Sequence, residues 1–121
     1  MDPLGPLQLR IMHHMWKKGP GTVQEVHNAL HADPAVKTLA YSTYLTVLRN
    51  LTKRGFLNQI KGNRAHVFVP LIDERTFKLS QVRYMRQVLF EGDINSILQY
   101  LAQDDEIDAG TREQITAIAN S

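Results

Sequence analysis

Cysteine is the most informative absence from this chain of 121 residues, because the sequence contains none. Disulfide bonds, thiolate metal sites, iron–sulfur clusters and cysteine nucleophiles are therefore excluded together. The sequence also lacks a phosphate-binding glycine loop, a nucleophile elbow and the His-Glu-x-x-His motif of a metalloprotease helix. We therefore expect a protein that is not an enzyme and that needs no cofactor.

Long apolar runs are absent as well. No stretch approaches the ~20 consecutive apolar residues that a membrane span requires. The N-terminus lacks the basic and then apolar segments of a secretory signal, so we expect a cytoplasmic protein with no membrane contact. Hydrophobic residues make up 43% and charged residues 21% of the chain, which is typical of a sequence that folds.

Acidic residues are scarce in one half of the chain. Residues 1–70 contain nine Lys/Arg and three Asp/Glu, whereas residues 71–121 contain five and nine. The halves therefore carry net charges of +6 and −4, and no carboxylate occurs from residue 34 to residue 72. A basic module of this kind suits a polyanionic partner, although an ordinary solvated surface has a similar composition.

Two helices are predicted near the N-terminus from their end signals. The first begins at Pro6, which suits a first helical turn, and ends at Lys18 before Gly19. The second follows Thr22, whose spacing from Glu25 is that of a capping box. Residues 31–40 show no clear period and are expected to form a connection.

The third predicted helix has one apolar face and one polar face, and Gly55 ends it. Its apolar stripe consists of Tyr41, Tyr44, Leu45, Leu48 and Leu51. The opposite face presents Ser42, Thr43, Thr46, Arg49, Asn50 and Lys53. Short hydroxyl side chains let a helix approach DNA closely, and Arg49, Asn50 and Lys53 add a potential guanine reader, adenine reader and phosphate contact. A merely solvated helix face is the alternative.

A β-hairpin with a basic tip is predicted after this helix. Residues 56–60 and 65–69 read as strands, and Pro70 ends the second one because proline cannot donate to a strand ladder. At the tip, Lys61 and Arg64 are placed to meet phosphates, which adds affinity but little sequence information. Asn63 completes the predicted DNA contacts of the tip.

Helical spacing returns at Asp73 and predicts three further helices, two of them short. None of them has an apolar face long enough to close a core alone, so we expect residues 73–121 to pair two copies of the chain. The predicted dimerisation residues are Val82, Met85, Leu89, Ile97, Leu98 and Leu101. Packing of this region onto its own N-terminal module stays open as the alternative. The fold class expected overall is mainly α with a small β-hairpin: a winged helix-turn-helix over residues 1–72, followed by a helical dimerisation tail.

The order of these motifs resembles the penicillinase repressor family (BlaI/MecI type). The matching segments are Leu4-Gly5-Pro6-Leu7 with Ile11-Met12 and Trp16, Thr22-Val23-x-Glu25-Val26, Tyr41-Ser42-Thr43-x-x-Thr46-Val47-Leu48, Lys53-Arg54-Gly55, and Gly62-x-Arg64-Ala65 through Pro70. The match is strong over residues 4–70 and continues faintly through Phe90-x-Gly92 and the acidic run 104–106. The resemblance implies a homodimer that binds palindromic DNA operators and blocks transcription, with a membrane sensor-protease as the partner that inactivates it.

The sequence also departs from the family pattern. Gln8 stands where the family usually has glutamate, and Asn50 stands where it usually has arginine. Penicillin-responsive members are cleaved at an Asn-Phe bond, and the matching residues here are Tyr100-Leu101. The cysteine cluster of copper-responsive relatives is missing, which excludes copper sensing by that route.

Two patterns resemble metal sites, but we expect no metal. His27 and His31 are four residues apart with Asp33 nearby, yet no third ligand is marked. The acidic run 104–108 resembles a calcium loop but has Ala109 where the loop needs glycine, and Ile115 where it needs its closing glutamate. A winged helix that binds protein without specific DNA binding is the remaining alternative function.

Overall fold

The computed structural model describes residues 3–34 and 39–121, so the predicted connection at 31–40 lies partly outside the described residues. A mainly helical chain with one two-stranded antiparallel sheet is observed, which confirms the expected fold class. The elements are α1 (Pro6–Lys18), α2 (Val23–His31), α3 (Tyr41–Lys53), β1 (Leu57–Lys61), β2 (His66–Pro70), α4 (Glu74–Tyr84), α5 (Ile94–Gln103) and α6 (Ala109–Ala119). A π-helical turn, Met85–Leu89, directly follows α4.

The chain forms two compact units, one that ends at Phe77 and one from Lys78 to Ser121. The sequence placed the division after residue 72, whereas the first unit extends into α4. Phe77 explains the difference, because its side chain is buried and its ring centroid lies 5.7 Å from those of both Trp16 and Phe56.

The core of the first unit uses most of the apolar side chains that helical periodicity predicts, whereas Tyr41 of the predicted α3 stripe is 46% exposed. Its buried side chains are Ile11, Met12, Met15, Val23, Val26, Tyr44, Leu48, Leu51, Phe56, Leu57, Phe68 and Phe77. Burial of apolar surface at about 25 cal/mol per Å² is the main stabilising contribution of such a cluster. Because α3 contributes three of these residues, its orientation is fixed and its opposite face is left toward solvent.

Local end signals set the boundaries of α1 and α2. The Thr22 hydroxyl accepts a hydrogen bond from the Glu25 amide at 3.2 Å, and the Glu25 carboxylate accepts one from the Thr22 amide at 3.3 Å. This reciprocal pair is the predicted capping box. Gly19 ends α1 with φ of 83° and donates its amide to the carbonyl of Met15 at 2.8 Å.

The hairpin carries an additional link that the sequence did not predict. Its register pairs Leu57 with Pro70 and Lys61 with His66, so both strands begin one residue later than predicted. Gly21 and Phe68 also exchange backbone hydrogen bonds of 3.1 and 2.8 Å, forming an isolated bridge. The segment before α2 is thereby joined to β2, which fixes the hairpin relative to the helices.

The second unit has no buried side chain between residues 78 and 121. Helices α5 and α6 pack against each other, and each begins at an aspartate cap. Asp93 accepts from the Ser96 amide at 3.2 Å, and Asp108 accepts from the Thr111 amide at 2.9 Å. No helix in the described residues has the length and apolar character needed to cross a membrane.

Candidate nucleic-acid interface

The outward face of α3 carries the six helix residues selected from the sequence. Five of them are exposed, and Thr43 is half-buried. The exposed residues are Ser42, Thr46, Arg49, Asn50 and Lys53. The Thr46 hydroxyl donates to the Ser42 carbonyl at 2.9 Å, so its hydrogen is used within the helix and its oxygen remains able to accept. This face is therefore accessible and polar, and the side chains of its first turns are short.

A groove separates α3 from the hairpin and collects residues from three elements. Tyr41, Leu45 and Arg49 line it from α3, and Thr22, Val23 and Gln24 line it from the start of α2. The hairpin contributes Gln59, Arg64, Ala65, His66 and Phe68. Two guanidinium groups, Arg49 and Arg64, thus share one concave surface, and the N-terminus of α2 adds the positive end of a helix dipole.

The hairpin tip depends on a glycine. The Gly62 amide donates to the Ala65 carbonyl at 3.0 Å, which closes the turn. A Cβ atom at Gly62 would overlap that carbonyl oxygen, so only glycine fits without a shift of the backbone. The predicted contact residues Lys61, Asn63 and Arg64 are all exposed on this turn.

Among the described residues of the first unit, the basic side chains of this surface have no carboxylate partner. Within the described part of the first unit, Arg10 and Asp33 form an ion pair at 3.4 Å. No carboxylate of that part lies within ion-pair distance of the basic side chains of the outward face and hairpin tip. These side chains are Arg49, Lys53, Lys61 and Arg64. Their charge remains available to an anionic partner, as the lack of acidic residues from 34 to 72 predicts.

Arg54 differs from these basic residues because its guanidinium group contacts other residues of the first unit. Its Nη1 donates to Gln8 Oε1 at 3.2 Å, and its Nη2 donates to the Pro3 carbonyl at 3.2 Å. Its guanidinium carbon also lies 5.3 Å from the centre of the Phe56 ring. Three partners therefore hold Arg54 against the first unit.

Sequence reasoning did not place Gln8 in the interface. The structure brings Gln8 to the outward face of α3, because Gln8 Nε2 donates to Asn50 Oδ1 at 2.7 Å across 42 residues of sequence. Both positions stood out as departures from the family pattern, but that pattern gave no indication of a contact between them. The side chain of Asn50 is consequently held from one side, whereas no partner in the described residues holds Arg49.

The two histidines of α2 pack against each other and against neighbouring residues of the first unit. The rings of His27 and His31 stack with centroids 5.2 Å apart, and His27 Nε2 lies 3.2 Å from the Leu39 carbonyl. Asp33 forms an ion pair with Arg10 at 3.4 Å. The described residues include no group of three His, Asp or Glu that could hold a metal ion.

The predicted dimerisation residues all fall in the second unit, with unequal exposure. Leu89 and Val82 are 69% and 55% exposed, and Met85 and Leu101 are 36% and 39% exposed. Ile97 and Leu98 are half-buried. Further apolar side chains that the sequence did not select are at least as exposed as Val82: Tyr84, Val88, Ile94, Tyr100 and Ile118.

The sequence matches the model of the penicillinase repressor family over residues 4–121. The transcriptional regulator BlaI of Mycobacterium tuberculosis is 42% identical over 69 residues, which are 56% of this chain and 48% of that protein. The penicillinase repressor of Bacillus licheniformis is 27% identical over 100 residues, covering 83% of this chain and 76% of that protein. The chain thus spans about half the length of the mycobacterial relative it matches.

Solved structures show the same fold. The solution structure of the DNA-binding domain of the repressor BlaI has a TM-score of 0.52 and 31% identity, covering 61% of this chain and 90% of that domain. A MarR family protein from Bacillus stearothermophilus gives a TM-score of 0.50 at 18% identity, covering 82% of this chain and 69% of that chain. At this identity the comparison shows likeness of fold alone. The helix and hairpin order described above is therefore a winged helix.

Proposed function

Because this chain belongs to the penicillinase repressor family, we propose that it is a transcriptional repressor whose first unit binds duplex DNA. The single observation that supports this proposal most strongly is the placement of exposed basic side chains on both α3 and the hairpin. Arg49 and Arg64 line one groove there, and no carboxylate of the described first unit neutralises them. The proposal assigns the protein to regulation and not to catalysis.

The geometry supports a specific way of docking. The outward face of α3 enters the major groove, where Ser42 and Thr46 permit a close approach and Arg49 reaches a guanine edge. Lys53 and the hairpin-tip residues Lys61 and Arg64 contact phosphates. Base reading is thereby assigned to the helix, and most of the electrostatic affinity to the hairpin.

The second unit supports a homodimer. Its residues 78–121 bury no side chain, and Leu89 is 69% exposed, so its apolar surface lacks a core of its own. A helical segment of this kind needs another surface, and a second copy supplies a matching one. The two-fold axis would place two α3 helices on the halves of a palindromic operator. A membrane sensor-protease as the inactivating partner stays a prediction drawn from the family resemblance.

Selection of genomic DNA fragments by the purified full chain, followed by footprinting, tests the proposal. We expect a few fragments to be enriched and each footprint to contain two inverted half-sites. A single unpaired site would contradict the dimeric arrangement. Failure to retain any duplex at low salt would contradict DNA binding and favour the protein-interaction alternative.

A further inference from the structure

The hydrogen bonds around Gln8 fix the orientation of its amide group. Gln8 Oε1 accepts from the Gly5 amide at 2.9 Å and from Arg54 Nη1 at 3.2 Å. Both partners are pure donors, so the atom they contact must be the oxygen. Nε2 therefore points the other way, toward Asn50, and the atom that it meets at 2.7 Å must be an acceptor, Oδ1.

This assignment decides which atom of Asn50 remains free. With Oδ1 turned toward Gln8, the Nδ2 amino group has no partner among the described residues. Asn50 is exposed and lies on the helix surface beside Thr46 and Lys53, which are four and three residues away. Its free hydrogen-bonding group on that surface is thus a donor.

We propose that Gln8 is a specificity-determining residue that acts through Asn50, an inference that rests on the DNA-binding function proposed above. Gln8 holds the Asn50 amide so that α3 presents a donor to the base edges. A donor matches guanine N7 and O6, thymine O4 or adenine N7. Bidentate recognition of adenine requires the oxygen and the nitrogen of the amide together on one base edge, and here the oxygen is turned toward Gln8.

The replacement Gln8→Glu would reverse the arrangement. Both oxygens of a carboxylate accept, so one would retain Gly5 and Arg54 while the other would require a donor from Asn50. The Asn50 amide would then turn its Nδ2 inward and its Oδ1 outward. An acceptor facing the DNA matches the exocyclic amino groups of adenine and cytosine. The replacement Gln8→Met would instead free the amide without adding charge.

Selection from a random duplex library tests this inference with the full chain. The variants are Q8E, Q8M, N50A and the double variant Q8E/N50A. We expect Q8E to change the preferred base at one position of each half-site, by roughly fivefold in relative affinity, the scale of one net hydrogen bond. N50A and Q8M should lose preference at that same position, and Q8E should have no further effect on it in the N50A background. The added negative charge of Q8E should weaken the binding of all sequences alike. This effect is distinguished from a change in base preference, because the preference compares sequences bound by the same variant.

The outcomes distinguish the inference from the function on which it rests. If the unmodified chain selects no sequence, both fail. If it selects a sequence but Q8E keeps the same base preference, or still changes it in the N50A background, the role of Gln8 is refuted alone. NMR of the free protein checks the geometry without DNA. Q8E should shift the side-chain amide resonances of Asn50 while the thermal melt stays close to that of the unmodified chain, and unchanged resonances would refute the reversal.

Discussion

The indole Nε1 of Trp16 donates a hydrogen bond to the carbonyl oxygen of Ile72 at 2.8 Å, across 56 residues of sequence. This bond ties α1 to the segment between the hairpin and α4. The Trp16 ring also lies 5.7 Å from the ring of Phe77, so the same side chain packs against the first turn of α4. The first unit therefore ends at Phe77, a residue that the Trp16 ring contacts in this segment.

Trp16→Phe should remove this hydrogen bond and leave the carbonyl of Ile72 unpaired. We expect the free energy of unfolding to fall by about 1–3 kcal/mol. Urea unfolding followed by far-UV circular dichroism measures it, because the chain has one tryptophan and the variant would lose indole fluorescence. His13→Ala is the matched control, since its exposed ring touches Trp16 without a hydrogen bond. Equal midpoints for Trp16→Phe and the unmodified chain would refute the assigned role.

Arg49→Ala should change which DNA sequences are preferred, whereas Lys61→Ala should weaken all sequences alike. The reason is that Arg49 lies on the outward face of α3, while Lys61 lies at the hairpin tip, where phosphates are the available partners. Binding to a panel of singly substituted operators separates the two effects. Uniform losses for both variants would contradict the division of roles between helix and hairpin.

Gly62→Ala should distort the hairpin tip and reduce affinity several-fold for every sequence. The added Cβ would overlap the Ala65 carbonyl oxygen, so Lys61 and Arg64 would be displaced from their positions. Gly110→Ala in α6 is the control, because its Cβ would meet no backbone atom of a turn. Fluorescence anisotropy with a labelled operator measures both variants. An unchanged affinity for Gly62→Ala would show that the tip does not contact DNA.

Leu89→Glu should convert the proposed dimer to a monomer without unfolding the first unit. Leu89 is 69% exposed, so the substitution removes little packing within the chain but places a charge on the proposed contact surface. Leu71→Glu, at 60% exposure in the first unit, is the matched control. Sedimentation equilibrium should show a monomer for the first variant and a dimer for the second. A dimeric Leu89→Glu variant would place the interface elsewhere.

The free energy of unfolding should fall as the pH drops below the ordinary range of histidine. Burial and the charge of Lys18 lower the pKa of His14 from 6.5, while Glu25 raises it. The unfolded chain therefore binds more protons near that pH, which favours unfolding until the pH falls below the pKa of the folded state. Urea unfolding at about pH 7.5 and about pH 5.5 measures the fall. His14→Gln should reduce it, and an equal fall in that variant would refute the assignment.

Local signals allowed most helix boundaries to be predicted. The capping box of Thr22 and Glu25, the proline at position 6 and the glycine at position 19 act through neighbouring backbone atoms, so their effects can be derived without knowledge of the fold. The apolar stripe of α3 was equally local, and its residues Tyr44, Leu48 and Leu51 are fully buried. The exposed polar face followed directly from that stripe.

Contacts between distant segments could not be predicted in the same way. The Gly21–Phe68 bridge and the Gln8–Asn50 hydrogen bond depend on how helices and hairpin dock, which no local pattern specifies. The π-helical turn of Met85–Leu89 also escaped prediction, because its apolar spacing resembles that of an α-helix. The roles of individual site residues remain predictions, because they are defined by contacts with a DNA duplex.

The salt dependence of operator binding tests the central claim most directly. Each neutralised phosphate contributes about −0.9 to the slope of log affinity against log salt concentration on duplex DNA. We predict a steep negative slope for the full chain, and a slope shallower by about 1.8 for the double variant Lys61→Ala/Arg64→Ala. An identical slope for both proteins, or no binding at low salt, would contradict the claim that the basic surface of α3 and the hairpin lies against the DNA backbone.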